Sequence, residues 1–269
     1  MSPMHPFNPE EPYFSQSLIK SNSLPESKYV PTYFKELDKV INGFRNPNLI
    51  IIGGRPAMGC RSLALTMACR QAWGKHKVAF FIMSLTESNL IERVKRNYTY
   101  YSKSHTEPFP SFYVDYKLDI DKLRNEVGRL KREENIEVVY VDTVQMLGVK
   151  DCPDTSDKTA IVTRALWEMS REFDISIVTL STVWRESELR GGEMLPMLCD
   201  LGETYTLEMY ADVVLLLHRP FYYGIRCDEA GNSIVNVAEV IVAKNVNGET
   251  TKVKLLFDNG MFVDDLLPF

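Results

Sequence analysis

An apolar run from Leu49 to Ile52 stops at Gly53 and Gly54, crosses four residues to Gly59, and enters a helical pattern carrying Leu63, Leu65, Met67 and Ala68. A chain written this way has few options: a buried strand, a tight loop and a helix. The loop then presents backbone N–H groups and the positive end of a helix dipole to the same spot, an arrangement suited to an anion.

The spacing is that of a P-loop, whose order is Gly, four residues, Gly, Lys, then Ser or Thr. Gly54 and Gly59 hold the glycine places, but Cys60 stands in the Lys place and Arg61 in the hydroxyl place. Arg55, Cys60, Arg61 and Ser62 are the side chains that face a phosphate in such a loop. Sliding Arg61 and Ser62 into the two vacant roles needs a one-residue bulge, and the unbroken phase of the helix favours plain substitution. Cys60 has two readings: a thiol activated by the helix N-terminus, or a small filler in an altered pocket, which is the plainer one.

Composition narrows the rest. With 269 residues, 45% of them apolar, the chain can bury one large core. It has no apolar run long enough to span a membrane and no secretory signal pattern, so a cytoplasmic protein is expected. Five scattered cysteines without C-x-x-C spacing indicate neither a disulfide framework nor a zinc site. A net charge of −5 argues against coating nucleic acid and leaves room for a local basic track.

Residues 1–27, with five prolines among Ser and Asn, read as an extended or disordered arm. From residue 28 to 269 a single domain is expected. Phe34, Leu37, Val40 and Ile41 mark a helix closed by Asn42 and Gly43. Strands are expected over 49–53, 78–85, 112–114, 138–142, 175–181 and 211–217. Helices are expected over 60–73, from Ser88 to about 101, over 120–133 and over 159–173. Two final strands, 237–244 and 251–257, flank the turn Asn245 to Gly248. Alternating strands and helices predict an α/β fold, a mainly parallel twisted sheet with helices on both faces and a C-terminal hairpin. The ligand is expected at the carboxyl ends of the strands, where the P-loop, Ser84 to Glu87, Asp142 to Gln145 and Ser181 to Arg190 fall.

Several blocks in order resemble the RecA-like C-terminal ATPase domain of the DnaB-type replicative DNA helicases. They are Val30-Pro-Thr-Tyr-Phe-Lys-Glu-Leu-Asp38, Arg55-Pro-Ala-Met-Gly59, Val141-Asp-Thr-Val-Gln-Met146, Leu195 to Leu201, Glu208 to Leu215, and Ala238 to Gly248. The resemblance spans about Lys28 to Val263. It implies a P-loop NTPase fold, ATP and Mg²⁺ as cofactors, and single-stranded DNA, a replication or helicase protein, or a second copy of the chain as partners. It also implies roles: Asp142 at the metal, Gln145 beside it, Lys244 reaching a neighbour's phosphate, and Arg185 and Arg190 in the loop facing DNA.

The same resemblance exposes five departures. The P-loop Lys and Thr are Cys60 and Arg61. The water-activating Glu falls on Thr86, leaving Glu87 one position away as the only candidate base. The sensor Gln is Thr182, and the arginine partner of Lys244 is Val246. Losing one phosphate-clamping or arginine-finger group costs on the order of 10³ to 10⁵ in turnover. The expectation is therefore a DnaB-like domain with a degenerate P-loop that binds ATP and Mg²⁺ weakly or not at all and does not hydrolyse. The alternative is a working ATP-dependent helicase subunit whose phosphate site is rebuilt from Arg61, Ser62 and Glu87.

Overall fold

A computed structural model describes residues 29–101, 109–150, 152, 156–190, 194–202 and 205–264. The arm expected over 1–27 lies outside the described residues. In chain order the first elements are β1 (Tyr29–Val30), α1 (Lys35–Ile41), β2 (Phe44–Arg45), β3 (Asn48–Gly54), α2 (Cys60–Trp73) and β4 (Val78–Ile82). Then come α3 (Glu87–Tyr101), β5 (Ser111–Val114), α4 (Ile120–Glu134), β6 (Val138–Asp142), α5 (Ser156–Glu172) and β7 (Ser176–Thr182). The chain continues through α6 (Thr206–Tyr210), β8 (Val213–His218), β9 (Val237–Asn245), β10 (Lys252–Asp258) and β11 (Met261–Val263).

β3 is buried along its whole length, flanked by β7 and β8, both parallel to it. A strand covered on both faces must be apolar on both, so Leu49–Ile52 runs without alternation. Ile50 and Ile52 point into one core with side chains of α1, α2 and α3, and Leu49 and Ile51 into the other with those of α4, α5 and α6. Burying each of these Leu and Ile side chains is worth about 1.5–3 kcal/mol, so this strand anchors the sheet.

The main sheet has nine strands in the order β11-β10-β9-β8-β3-β7-β6-β4-β5; β5 to β8 in that order are parallel and the last three antiparallel. This is the expected architecture, with additions. The short helix α6 precedes β8, which starts at Val213 rather than at residue 211. The hairpin is extended by β11 into a three-stranded meander. Its turn, Asn259 and Gly260, has both φ positive, at 48° and 81°, the geometry that Asn-Gly turns supply. β4 ends at Ile82, so 83–86 is a loop, and α3 begins at Glu87, with Thr86 Oγ1 accepting from the Asn89 N–H at 3.4 Å. That hydroxyl, rather than Ser88, caps the helix. No helix among the described residues is long and apolar enough to cross a membrane.

Candidate nucleotide site

The carboxyl ends of β3, β6 and β7 meet around a cavity of about 530 Å³, within the range of small-molecule sites. The P-loop forms its floor. Gly59 has φ +102°, and a Cβ there would stand 2.9 Å from Phe262, so only glycine fits. A Cβ on Gly54 would stand 2.6 Å from the Cys60 sulfur, which places the thiol tight against the loop backbone. Burial pushes that thiol up to about 12, and the charge of Asp142 adds to the effect. This surrounding fits the plainer reading of Cys60, a small filler in the Lys place, better than an activated thiol.

Arg61, in the first turn of α2, reaches across to the end of β6. Its Nε donates to Asp142 Oδ2, and its Nη2 donates to Asp142 Oδ1 at 3.2 Å and to Ser84 Oγ at 2.6 Å. Ser84 Oγ in turn donates to Asp142 Oδ2 at 3.3 Å. Both carboxylate oxygens are thus engaged by a guanidinium, in a residue 1% exposed. A carboxylate this deep is stable as an ion only when paired and hydrogen-bonded, and Arg61 supplies both. Asp142 was expected as a metal ligand and Arg61 as a phosphate ligand; the two are paired with each other, through Nε and Nη2 of Arg61. Mg²⁺ in a P-loop site is held by the loop hydroxyl and this Asp. Here one position is occupied by Arg61 and the other is covered by it, and no group of three potential metal ligands stands among the described residues. The residues present do not fit the ion.

The surrounding side chains are basic. Arg55, Arg61, Arg93 and Arg96 line the cavity, and Asp142 is the one carboxylate among them. Arg55 turns away: Nε donates to Glu188 at 3.0 Å and Nη1 to the Val183 carbonyl at 2.9 Å. The Arg55 guanidinium holds Glu188 below the usual carboxylate range, and Tyr223 donates to the same carboxylate oxygen at 3.2 Å. Arg96 bonds Glu92 and the Asn259 carbonyl. Arg93 is half-buried and its guanidinium has no hydrogen-bond partner among the described residues.

The family model for the DnaB-like helicase C-terminal domain matches residues 29–108 and 103–263. The chain belongs to that family. It is 31% identical to the replicative DNA helicase DnaB of Leifsonia xyli subsp. xyli over 257 residues, 87% of this chain and 54% of the relative. It is 27% identical to that of Rickettsia typhi over 275 residues, 86% of this chain and 55% of the relative. The chain thus spans about half the length of the curated relatives it matches. The solved structure of a DnaB-like replicative helicase, determined with its interactions with primase, superposes at a TM-score of 0.75 with 24% identity, covering 87% of this chain and 61% of that one. At that identity the likeness speaks to the RecA-like fold.

The other expected positions of this DnaB-like domain are dispersed. Glu87 is exposed and lines a separate apolar groove with Leu90, Ile91 and Phe112, outside the phosphate cavity. Gln145 stands behind the cavity wall: its Nε2 donates to Ser181 Oγ at 2.9 Å and its Oε1 accepts from Thr143 Oγ1 at 2.9 Å, while Thr143, Ser181 and Thr182 themselves line the cavity. Ser62 lines it too but is 8% exposed. Lys244 donates to the Glu208 and Met209 carbonyls at 2.7 and 3.4 Å, at the carboxyl end of α6, where a cation is favoured. Arg190 forks onto Asp200 at 2.7 and 2.5 Å and also bonds the Leu195 carbonyl. Arg185 is exposed, next to Glu186.

Sequence reasoning missed Arg93 and Arg96. Their signal was available in the i, i+3 spacing of two arginines on a helix that starts from the end of a neighbouring strand.

Proposed function

We propose that the chain is a non-hydrolysing member of the DnaB-like helicase family that works in DNA replication or recombination by binding rather than by ATP turnover. The observation that carries this reading is the Arg61–Asp142 pair, which engages the carboxylate that a metal would need. Cys60 in the Lys place and Glu87 in another groove support it: no lysine and no candidate base are among the residues that line the cavity.

The partner we assign is a protein of the cytoplasm, either a second copy of the chain or a replication protein such as an active helicase. Support comes from the loop that faces DNA in the family. Arg190 is neutralised there by Asp200, and Trp184, Leu189 and Met197 are 41%, 79% and 47% exposed. A thin basic character with exposed apolar side chains suits a protein surface better than a phosphate backbone.

A steady-state ATPase assay with Mg²⁺, with and without single-stranded DNA, tests the turnover half. The expected result is no release of phosphate above background. Robust hydrolysis that Arg61→Ala abolishes would instead support a helicase subunit rebuilt on Arg61, Ser62 and Glu87.

A further inference from the structure

The cavity retains what an anion needs while its metal position is closed. We infer that this site binds the polyphosphate of a nucleotide without a divalent cation, with the Arg61 guanidinium as a built-in substitute for the ion. The inference rests on the proposed non-hydrolysing reading and adds to it a ligand class and a mode of binding.

Three observations carry it. First, Arg61 spends its Nε and Nη2 donors on Asp142 and Ser84, but a guanidinium has five N–H donors, and its Nη1 has no partner among the described residues. Second, Arg93 lines the same cavity half-buried and unpartnered among the described residues, and an Arg matches phosphate geometry with two parallel donors. Third, the P-loop keeps the glycines that bring its N–H groups close to a ligand. A magnesium ion in such a site neutralises phosphate charge and bridges it to the protein through near-ideal octahedral oxygens at about 2.0–2.1 Å. Arg61 performs the same two tasks with a charge that is covalently part of α2 and already anchored on Asp142. The site then has no vacancy for the ion and no need of one.

One substitution should act with opposite sign here and in a metal-dependent site. In a metal-dependent P-loop site Asp142→Asn removes a metal ligand and weakens nucleotide binding. Here it removes the one negative charge lining an anion cavity and releases Arg61 toward the phosphates, so binding tightens, by about tenfold.

Titration calorimetry of the full chain with ATP, in excess Mg²⁺ and in excess EDTA, tests the inference, with Asp142→Asn measured alongside. The expected result is a Kd that agrees within about twofold between the two conditions, and a tighter Kd in the variant. Binding that EDTA abolishes, or that Asp142→Asn weakens in a variant of unchanged melting temperature, overturns the inference. No heat of binding in either condition also overturns it and leaves the non-hydrolysing reading standing. Mg²⁺-dependent hydrolysis in the same samples overturns both. The comparison of the unmodified chain with and without Mg²⁺ decides the matter even where the variant does not fold.

Discussion

The P-loop cavity and the loop after β7 have met the same problem in different ways. Each contains a buried carboxylate, Asp142 at 1% exposure and Asp200 at 4%, and each neutralises it with an arginine. In the cavity, Arg61 keeps Nη1 donors to spare, and Arg93 stands beside it in a concave space of about 530 Å³. In the loop, Arg190 commits both of its Nη groups to Asp200 and Leu195, and Trp184, Leu189 and Met197 of the same segment are exposed. One region keeps guanidinium donors beside a concave space. The other has become a polar-pinned apolar surface. Two arginines that neutralise a buried acid thus differ in the donors they have left over and in the shape around them.

The largest effect should come from breaking the cavity pair. Arg61→Ala leaves Asp142 buried and unpaired, and should lower stability by about 3 kcal/mol, the lower end for a broken buried pair because Arg61 is partly exposed. Urea denaturation checks this, and adding Asp142→Asn should restore most of the loss, since the pair then goes together. Arg190→Ala should cost less, about 2 kcal/mol, because Asp200 keeps the Met197 N–H at 2.6 Å; equal losses in the two variants would erase the contrast between the regions.

Restoring the family residues sharpens it further. Cys60→Lys with Arg61→Thr should introduce Mg²⁺-dependent ATP binding and still give no turnover, because Thr86 stands in the place of the base. Measured hydrolysis in that variant would mean that Glu87 can reach the cavity.

The smallest effect concerns acid. Burial raises the Asp200 carboxyl, but the Arg190 fork and the Met197 N–H outweigh it, and the net position lies below the usual range. A lowered acid contributes its stability above the unfolded value of about 4 and loses it only as pH falls through the folded value. The loop should hold its geometry from neutral pH down to about 4 and loosen below that, which carbon NMR titration of the Asp200 carboxyl can follow. Release already at pH 6 would deny the pairing.

The sheet, its two covered faces and the P-loop glycines were legible because they depend on residues close in sequence or on runs of apolar character. The five departures at Cys60, Arg61, Thr86, Thr182 and Val246 are read from the resemblance alone, because a motif fixes which residue type belongs where. What Arg61 does instead was not legible. Its partner is 81 residues away, and no local pattern says that a guanidinium on the first turn of α2 will reach the end of β6. The Arg190–Asp200 pair was hidden for the same reason: Asp200, ten residues on, counts as a loop residue until the chain folds it underneath. The bonds from Lys244 to α6 were hidden too, because α6, five residues long, is too short to leave a periodic signal. β11 is different, since the Asn259-Gly260 turn was written in the sequence and could have been read.

The central claim is that a guanidinium fills the metal's place on Asp142. A crystal structure grown with Mg²⁺ and a non-hydrolysable ATP analogue tests it most directly. The account predicts Arg61 within hydrogen-bond distance of both Asp142 oxygens and no ion coordinated by a side chain of the cavity. An octahedral ion bridging Asp142 and the phosphates, with Arg61 swung aside, would contradict it.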